Sequence, residues 1–192
     1  MGRDKALLPW PPASSGSGTA GTFLSEAIRS LSPINDMVIV VGGKNIEALA
    51  PIVYANGGMI IENPAPEKGQ FSSLRIGLRE VLNHGRDTAM ITLVDRPAVA
   101  SSTIERLRNA YDLAREKGKW AVVPEYGGTH GHPYIAGREL IEAFLRAPEE
   151  STARDVEHRN VQHIEYVPVA DPFATINVDT PEQYAALVGT AK

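Results

Sequence analysis

The chain has 192 residues and a mass of 20.7 kDa, with 43% hydrophobic and 22% charged residues, so one folded domain covering 1–192 is expected and a disordered or fibrous protein is excluded. The formal net charge is -4 and no basic cluster occurs, which argues against nucleic acid as a partner. The absence of cysteine excludes disulfides, thiolate metal sites and cysteine nucleophiles. Without a long apolar run, the composition predicts a cytoplasmic protein that does not contact a membrane.

Residues 11–21 read PPASSGSGTAG, which predicts a flexible loop because this composition offers almost no apolar surface to bury. Apolar residues then recur with helical spacing over 23–31, and residues 37–41 read MVIVV, a run typical of a buried strand. The alternation of helices and short strands continues along the chain. Further strands are predicted at 59–62, 89–94, 120–124, 133–136 and 161–169, and further helices at 45–56, 72–83, 101–117, 138–146 and 181–188.

Two of the predicted helices begin with residues that favour helix starts. The helix at 101–117 opens on Ser101, Ser102 and Thr103, whose hydroxyls are typical N-caps. The last helix has Thr180 as its expected N-cap and Pro181 at its first position. These residues are expected to satisfy the free N–H groups at both helix starts.

This order of elements predicts an α/β fold with three layers, α/β/α, and a mostly parallel sheet, because parallel strands are joined by helical crossovers. In such sheets ligands bind beyond the carboxyl ends of the strands. The loops that follow strands are therefore where a functional site is expected. These loops cover residues 62–73, 95–97, 125–133 and 177–181.

Two aspartates in these loops follow short apolar stretches. Asp95 comes directly after the run ITLV, and Asp179 lies in INVDTPEQY just before the last helix. Mg²⁺ prefers one or two carboxylates and takes its other ligands from water and substrate phosphates, so the pair predicts a magnesium site. Each aspartate could instead cap a helix, and for Asp179 alone the two interpretations are equally supported.

Glycine and serine residues begin the helix predicted after the 59–62 strand. Gly69 allows close backbone approach, while Ser72 and Ser73 add hydroxyls to the N–H groups of a helix start, a combination suited to an anion or to polar base edges. The two serines could equally be plain N-caps. Arg3 and Lys5, near the N-terminus, would ordinarily be solvated charges.

Several other patterns indicate no chemistry of their own. His130 and His132 are two residues apart, but with no cysteine and no third ligand nearby a zinc site is not expected. Residues 16–21 match G-x-G-x-x-G, yet no apolar strand precedes them, so a dinucleotide-binding loop is not expected. Neither a Gly-x-Ser-x-Gly elbow nor a Walker sequence occurs in the chain.

Five segments in a fixed order carry a resemblance to a known family. They read MGRDKALLPW, ENPAPEKGQFSSLRIGL, LVDRPAV, GHP and NVDTPEQY. Together they resemble the MobA-like nucleotidyltransferases, in particular the molybdenum cofactor cytidylyltransferases. The resemblance covers nearly the whole chain and implies a GT-A-like, Rossmann-like nucleotidyltransferase fold. It also implies transfer of CMP or GMP from CTP or GTP to a phosphate of molybdopterin, with release of pyrophosphate.

The resemblance further implies roles for individual residues. Asp95 and Asp179 would hold Mg²⁺, and Lys5 would meet the triphosphate, so that Lys5 and Asp95 would be catalytic. Two further groups follow from the same resemblance. The nucleotide would be bound by Arg3, Lys5, Gly69, Ser72 and Ser73, and the acceptor by Gly131, His132 and Pro133. No protein nucleophile is needed, because such transfers rely on positioning and charge neutralisation.

The chain departs from the family at its N-terminus. The family has a buried strand and a glycine-rich loop of the form A-A-G-x-S-x-R directly before the Met-Gly-x-x-Lys segment, and here the sequence starts at that Met. A late start assignment is the favoured explanation; a neighbouring chain in a homo-oligomer or a rearranged N-terminus would be the other ways to fill the gap. The departure leaves open a catalytically weak binding or chaperone module, and a sugar phosphate remains an alternative acceptor.

Overall fold

A computed structural model describes residues 4–11 and 21–190 of the chain. The described strands are β1 (Ile39–Gly42), β2 (Met59–Glu62), β3 (Thr88–Ile91), β4 (Ala121–Tyr126), β5 (Thr129–His130), β6 (Tyr134–Gly137) and β7 (Ile164–Pro168). The helices are α1 (Phe23–Leu31), α2 (Ile46–Ala55), α3 (Gln70–Asn83), α4 (Ser101–Glu116), α5 (Arg138–Arg146), α6 (Ala153–Arg159) and α7 (Pro181–Thr190). Apart from its end residues, the loop predicted at 11–21 lies outside the described residues, as does all but Gly21 of the G-x-G-x-x-G match.

The strands form two hydrogen-bonded sheets. In the smaller sheet β1 and β2 run parallel, with Ile39 opposite Met59. In the larger sheet the order is β3-β6-β4-β5, and β7 pairs in parallel with β4. The predicted helices and strands are all present, with boundaries shifted by a few residues, and residues 161–163 form a 3-10 turn where a strand was predicted.

The expectation of a mostly parallel sheet is wrong for the larger sheet. Strand β6 runs antiparallel to both of its neighbours, β3 and β4, and β5 runs antiparallel to β4. The reason is the short connection: β6 begins at Tyr134, soon after β4 ends at Tyr126. A parallel crossover needs about a dozen residues or more, so the chain turns back through Gly127 and Gly128 instead. Both glycines have positive φ, as a tight turn of this kind requires.

Helices cover both faces of the larger sheet, which confirms the three-layer α/β class. Ala121 and Val123 of β4 pack in a core cluster with Phe144 and Ile141 of α5. Val122, between them in sequence, points to the other face and packs with Leu107 of α4. This alternation follows from the two-residue period of a strand, since both faces of a central strand are buried.

Helix α4 is capped differently from the sequence-based expectation. Its N-cap is Ala100, and neither Ser101 nor Ser102 makes a side-chain cap there. A distant loop contacts the helix start instead, where the Asp171 carboxylate accepts hydrogen bonds from the Ala100 N–H at 2.8 Å and from the Thr103 hydroxyl at 3.1 Å. A carboxylate at a helix start is favoured because it also faces the positive end of the helix dipole.

Helix α6 was not predicted from the sequence. Its seven residues read ARDVEHR and bury one apolar side chain, Val156, so they give no helical periodicity. A reciprocal capping box between Thr152 and Asp155 fixes its start. Among the described helices, none combines the length and the apolar character that crossing a membrane requires.

Candidate active site

Three charged side chains from distant parts of the sequence meet beyond the end of β3. Lys5 begins a short 3-10 helix, Asp95 lies in the loop after β3, and Asp179 lies just before α7. The Lys5 Nζ atom is 2.7 Å from Asp179 Oδ1 and 3.4 Å from Asp95 Oδ2. The two carboxylates therefore converge on a single cationic group at the carboxyl edge of the larger sheet, where α/β proteins bind ligands.

Backbone and amide hydrogen bonds hold the two aspartates in place. The Val178 N–H donates to the Asp95 carbonyl at 2.9 Å, which joins the two loops directly. The Asn177 side-chain amide donates to Asp179 Oδ2 at 2.5 Å. The Gln183 side-chain oxygen accepts from the N–H of Asp179 at 2.6 Å, which fixes that loop against the first turn of α7. The carboxylate pair is thus preorganised by the chain itself.

The electrostatics of this cluster favour a bound cation. The hydrogen bond to Asp179 raises the pKa of Lys5 despite an opposing effect of partial burial, and the Asp95 charge adds to the rise. Lys5 is consequently held as an ammonium by the pair of carboxylates. Two buried oxygens near this point, Asp95 Oδ1 and Asn177 Oδ1, have no hydrogen-bond partner among the described residues. Such unpaired oxygens suit a divalent cation, whose preferred ligands are oxygen atoms.

Arg96 and His132 lie beside the carboxylate cluster. The carbonyl of Ala174 accepts from the His132 N–H at 2.8 Å and from Arg96 Nη1 at 3.5 Å, and His132 Nδ1 lies 3.3 Å from the Ile91 carbonyl. Burial lowers the pKa of Arg96 from its usual value. Burial, with the neighbouring Arg96 charge, lowers the pKa of His132 to about 4, so its ring is neutral at physiological pH. The buried Arg96 Nε has no hydrogen-bond partner within the part of the chain that the structure describes.

Gly131 allows a close approach of two backbone segments next to His132. A Cβ at this position would lie 2.0 Å from the Ala174 carbonyl oxygen, a distance that neither backbone could accommodate without moving. The Gly131 N–H donates to the Pro124 carbonyl at 2.9 Å. Glycine is therefore required here for packing of the 131–133 loop against the 172–174 turn.

A second polar cluster lies at the start of α3. The side chain of Asn63, which is 2% exposed, donates to the hydroxyls of Ser72 at 2.8 Å and Ser73 at 2.9 Å, and its oxygen accepts from the Ala65 N–H. Gly69 is the N-cap residue of α3 and has φ +86, a left-handed conformation that favours glycine. Asn63 thus ties the end of β2 to the first turn of α3.

A sequence model of the family described as MobA-like NTP transferase domain matches residues 1–164. The chain belongs to this family. The resemblance drawn from the five sequence segments is thereby confirmed, and the chain is a member of a nucleotidyltransferase family. Among curated proteins, no match to this MobA-like domain was found.

Solved structures similar to this MobA-like domain include Rv0371c from Mycobacterium tuberculosis, with 22% identity over 98% of this chain and 90% of that chain and a TM-score of 0.78. They also include molybdopterin-guanine dinucleotide biosynthesis protein A from Archaeoglobus fulgidus, with 16% identity, coverage of 88% and 85%, and a TM-score of 0.64. A third is 4-diphosphocytidyl-2C-methyl-D-erythritol synthase from Anaerococcus prevotii, with 13% identity, coverage of 91% and 87%, and a TM-score of 0.68. At these identities the likeness establishes the fold, and the expected GT-A-like fold is confirmed.

The structure of this MobA-like domain brings together some of the residues predicted for its site. Lys5, Asp95 and Asp179 are in direct contact, and the 131–133 loop lies next to them through Arg96. Gly69, Ser72 and Ser73 share the separate cluster around Asn63 at the start of α3. Arg3 lies outside the described residues. Within the described residues no group of three or more acidic or histidine side chains could by itself enclose a metal ion.

Sequence reasoning missed three residues that support the site. Asn177 stands two residues before Asp179 in INVDTP, and this spacing places both side chains on one side of an extended segment. Asn63 directly follows strand β2 (Met59–Glu62). The position just after a strand is where α/β proteins place groups that face a ligand. Arg96 could not have been assigned to the site from the sequence, because an arginine in a loop is more often a solvated charge.

Proposed function

We propose that this chain transfers a nucleoside monophosphate, CMP or GMP, from a nucleoside triphosphate to the phosphate of a small-molecule acceptor such as molybdopterin, in the cytoplasm. A phosphate oxygen of the acceptor attacks the α-phosphorus, the bond from that phosphorus to the bridging oxygen of the β-phosphate breaks, and pyrophosphate leaves. The family supplies the class of reaction. The acceptor and the choice of nucleotide are the parts that the experiment below must decide.

One observation carries this proposal. Two carboxylates from loops far apart in sequence, Asp95 and Asp179, converge on one ammonium group, and one of their oxygens is buried without a partner among the described residues. Two carboxylates that share one cation at the end of a sheet form a site for the metal ion that accompanies a triphosphate. Ordinary helix capping requires neither the convergence nor the unpaired oxygen.

Asp95 and Asp179 would hold a divalent metal ion, which we propose to be Mg²⁺. When bound, the ion would neutralise charge on the phosphates and polarise the reacting phosphoryl group. A second solved structure of Rv0371c is a complex of that protein with manganese, which supports divalent metal use in proteins of this fold. The remaining ligands would come from water and phosphate oxygens, since the described residues supply two carboxylates only.

The other residues of the site would bind and orient the substrates. The Lys5 ammonium would exchange its carboxylate partners for phosphate oxygens as the triphosphate enters. The N–H groups at the start of α3, with Gly69, Ser72 and Ser73, would bind the nucleotide. The sequence resemblance assigns Arg3 to the nucleotide as well. Arg96 and the 131–133 loop would face the acceptor, and a guanidinium with an N–H unpaired among the described residues suits the acceptor's phosphate.

Replacement of Asp95 tests this proposal. We expect Asp95→Asn to lower metal-dependent pyrophosphate release by at least about 10²-fold, because the variant loses a charged group that stabilises the transition state through its metal. The thermal midpoint should change little, since asparagine keeps the shape of the side chain. Asp112→Asn is the matched control, because Asp112 is exposed on α4 and lies outside the site.

The assay should pair CTP or GTP with molybdopterin in one series and with a sugar phosphate in another, each with Mg²⁺ or Mn²⁺. Turnover of the sugar phosphate but not of molybdopterin would support the second acceptor class. The likeness in fold to a 4-diphosphocytidyl-2C-methyl-D-erythritol synthase is the reason for testing that class. Calorimetric titration of the same nucleotides completes the test. Metal-dependent binding without turnover would favour a binding module, and full activity in the Asp95→Asn variant would reject the metal assignment.

A further inference from the structure

Two aromatic rings stack on each other at the surface of the larger sheet. The imidazole of His130 on β5 and the phenol ring of Tyr166 on β7 have centroids 3.8 Å apart, and their planes are 9° from parallel. Strand β4 pairs with both of these strands, and its Glu125 Oε2 lies 3.5 Å from His130 Nε2. We call the two stacked rings the aromatic platform.

Tyr166 is the inner ring of the platform and His130 is the outer one. Tyr166 is half-buried and packs against the core cluster that contains Phe144 of α5. Burial, with the charges of Glu157 and Glu125, raises the pKa of Tyr166, so its ring stays neutral. The His130 side chain is 48% exposed although one of its faces is covered by Tyr166. The platform therefore presents the imidazole to solvent on a support that is anchored in the core.

The platform lies at the same edge of the sheet as the carboxylate cluster. Strand β7 runs parallel to β4, and β3 points in the same direction because β6 is antiparallel to both β3 and β4. His130 pairs with Glu125 near the carboxyl end of β4, and Asp95 follows the carboxyl end of β3. This is the edge at which α/β sheets bind ligands.

The platform is close to the groups proposed to face the acceptor. His130 is two residues from His132, whose N–H shares the Ala174 carbonyl with Arg96. Two residues of extended chain span about 7 Å. A small ester whose phosphate lies at Arg96 would therefore bring the rest of its skeleton within reach of the platform.

We propose that the aromatic platform binds a planar heteroaromatic ring of the acceptor, which stacks on the outer face of His130. The inference rests on the proposed function, because it concerns the acceptor of that transfer. A flat heteroaromatic ring gains stacking energy on such a surface, whereas a saturated sugar ring has no π face to stack. The platform would therefore select a pterin phosphate over a sugar phosphate.

The experiment measures binding separately from turnover. The 192-residue chain is titrated by calorimetry, in the presence of Mg²⁺, with a pterin that carries a phosphate monoester on its 6-methyl group. Ribose 5-phosphate is the non-aromatic counterpart, and CTP and GTP are titrated in parallel. The thermal midpoint of each variant shows whether it is folded.

Three variants separate stacking from other roles of the imidazole. We expect His130→Ala to weaken binding of the pterin phosphate by about 10-fold, and His130→Phe, which keeps a flat ring, by less than about 3-fold. His84→Ala is the matched control and should leave the affinity unchanged. His84 is also exposed beside a glutamate, Glu80, but it lies at the opposite end of α3 from Gly69. Affinity for ribose 5-phosphate should be the same in all of these chains.

Three outcomes would overturn the proposal. The first is that the native chain does not bind the pterin phosphate, or binds it no more tightly than His130→Ala does. The second is an equal loss of affinity for ribose 5-phosphate in His130→Ala, because the imidazole would then act on the phosphate. The third is a loss of affinity for CTP or GTP alone, which would assign the platform to the nucleobase. Pyrophosphate release in the Asp95→Asn variant reports on the transfer itself, so failure of that proposal is distinguishable from failure of this one.

Discussion

His132 and Arg96 illustrate how a single loop contact changes the ionisation of a side chain. The His132 ring is enclosed between the end of β3 and the 172–174 turn, and its backbone shares the Ala174 carbonyl with Arg96. Burial and the adjacent guanidinium both oppose protonation of the ring, which lowers its pKa to about 4. A neutral imidazole next to a buried arginine leaves that arginine as the charged group of this loop contact.

This ionisation predicts a specific pH dependence of stability. The unfolded state binds the proton more tightly, so the contribution of His132 is complete above pH 6.5 and is lost as the pH falls toward about 4. We expect the free energy of unfolding to fall by about 2–3 kcal/mol from this group between pH 7 and pH 4.5. Urea denaturation at both pH values measures the loss.

The His132→Gln variant should show a smaller fall over the same pH range, because glutamine does not titrate. His158→Gln is the matched control, because it makes the same change of side chain at an exposed position on α6. An identical fall in the His132→Gln variant and the native chain would show that other groups cause the pH dependence.

At the scale of single elements, helix α4 depends on a residue far from it in sequence. Three serine and threonine residues at its start are suited to capping, yet the Asp171 carboxylate accepts from the Ala100 N–H and the Thr103 hydroxyl. The other Asp171 oxygen accepts from the Phe173 N–H at 3.0 Å, so the same side chain fixes its own loop. A carboxylate satisfies these donors better than a serine hydroxyl because hydrogen bonds to a charged acceptor are stronger.

We predict that Asp171→Ala lowers the free energy of unfolding by about 1–2 kcal/mol, because the Ala100 N–H and the Thr103 hydroxyl lose their acceptor. Ser101→Ala, at the position that the sequence favoured for capping, should change it by less than about 0.5 kcal/mol. Chemical denaturation of the two variants compares them directly. A larger loss from Ser101→Ala than from Asp171→Ala would contradict a stabilising role of Asp171 at this helix start.

Over the whole molecule, the buried apolar side chains form several clusters, and the one with the most members packs on the larger sheet. Phe144 of α5 and Ala121 of β4 are each 0% exposed and belong to one cluster that also includes α3, α6 and β7. The smaller sheet has its own cluster, formed by Leu24 and Ile28 of α1 with Leu49 and Val53 of α2. An apolar cavity lined by β1 and β3 lies between these two clusters. A further cluster connects the two parts of the molecule, because Leu31 of α1 packs there with Ile104 of α4.

We predict that Phe144→Ala lowers the free energy of unfolding by about 3–5 kcal/mol, because it removes a buried aromatic ring and leaves a cavity. Phe144→Leu keeps most of the side-chain volume and should lower the free energy of unfolding by less. It replaces Phe144→Ala in the comparison if the alanine variant does not fold. Leu113→Ala is the control, since Leu113 is 60% exposed. Equal losses of unfolding free energy in Leu113→Ala and Phe144→Ala would contradict the assignment of Phe144 to the core.

The sequence by itself determined the class of fold and most of the elements, because burial on one or both faces leaves a periodic apolar pattern that is local. The run around Ala121–Tyr126 and the helix Arg138–Arg146 are visible in this way. The sequence also indicated Asp95 and Asp179 as candidate site residues. A carboxylate directly after an apolar run, or just ahead of a helix start, is a local signal.

Only the tertiary structure decided which distant groups meet. The antiparallel pairing of β6 with β3, the hydrogen bonds of Asp171 to the start of α4 and the contact of Arg96 with Ala174 all join residues far apart in sequence. The apolar cavity between β1 and β3 likewise depends on two strands that no local pattern connects. Local periodicity reports burial, whereas register, capping across loops and the convergence of charges depend on three-dimensional packing, which is why they emerged with the fold.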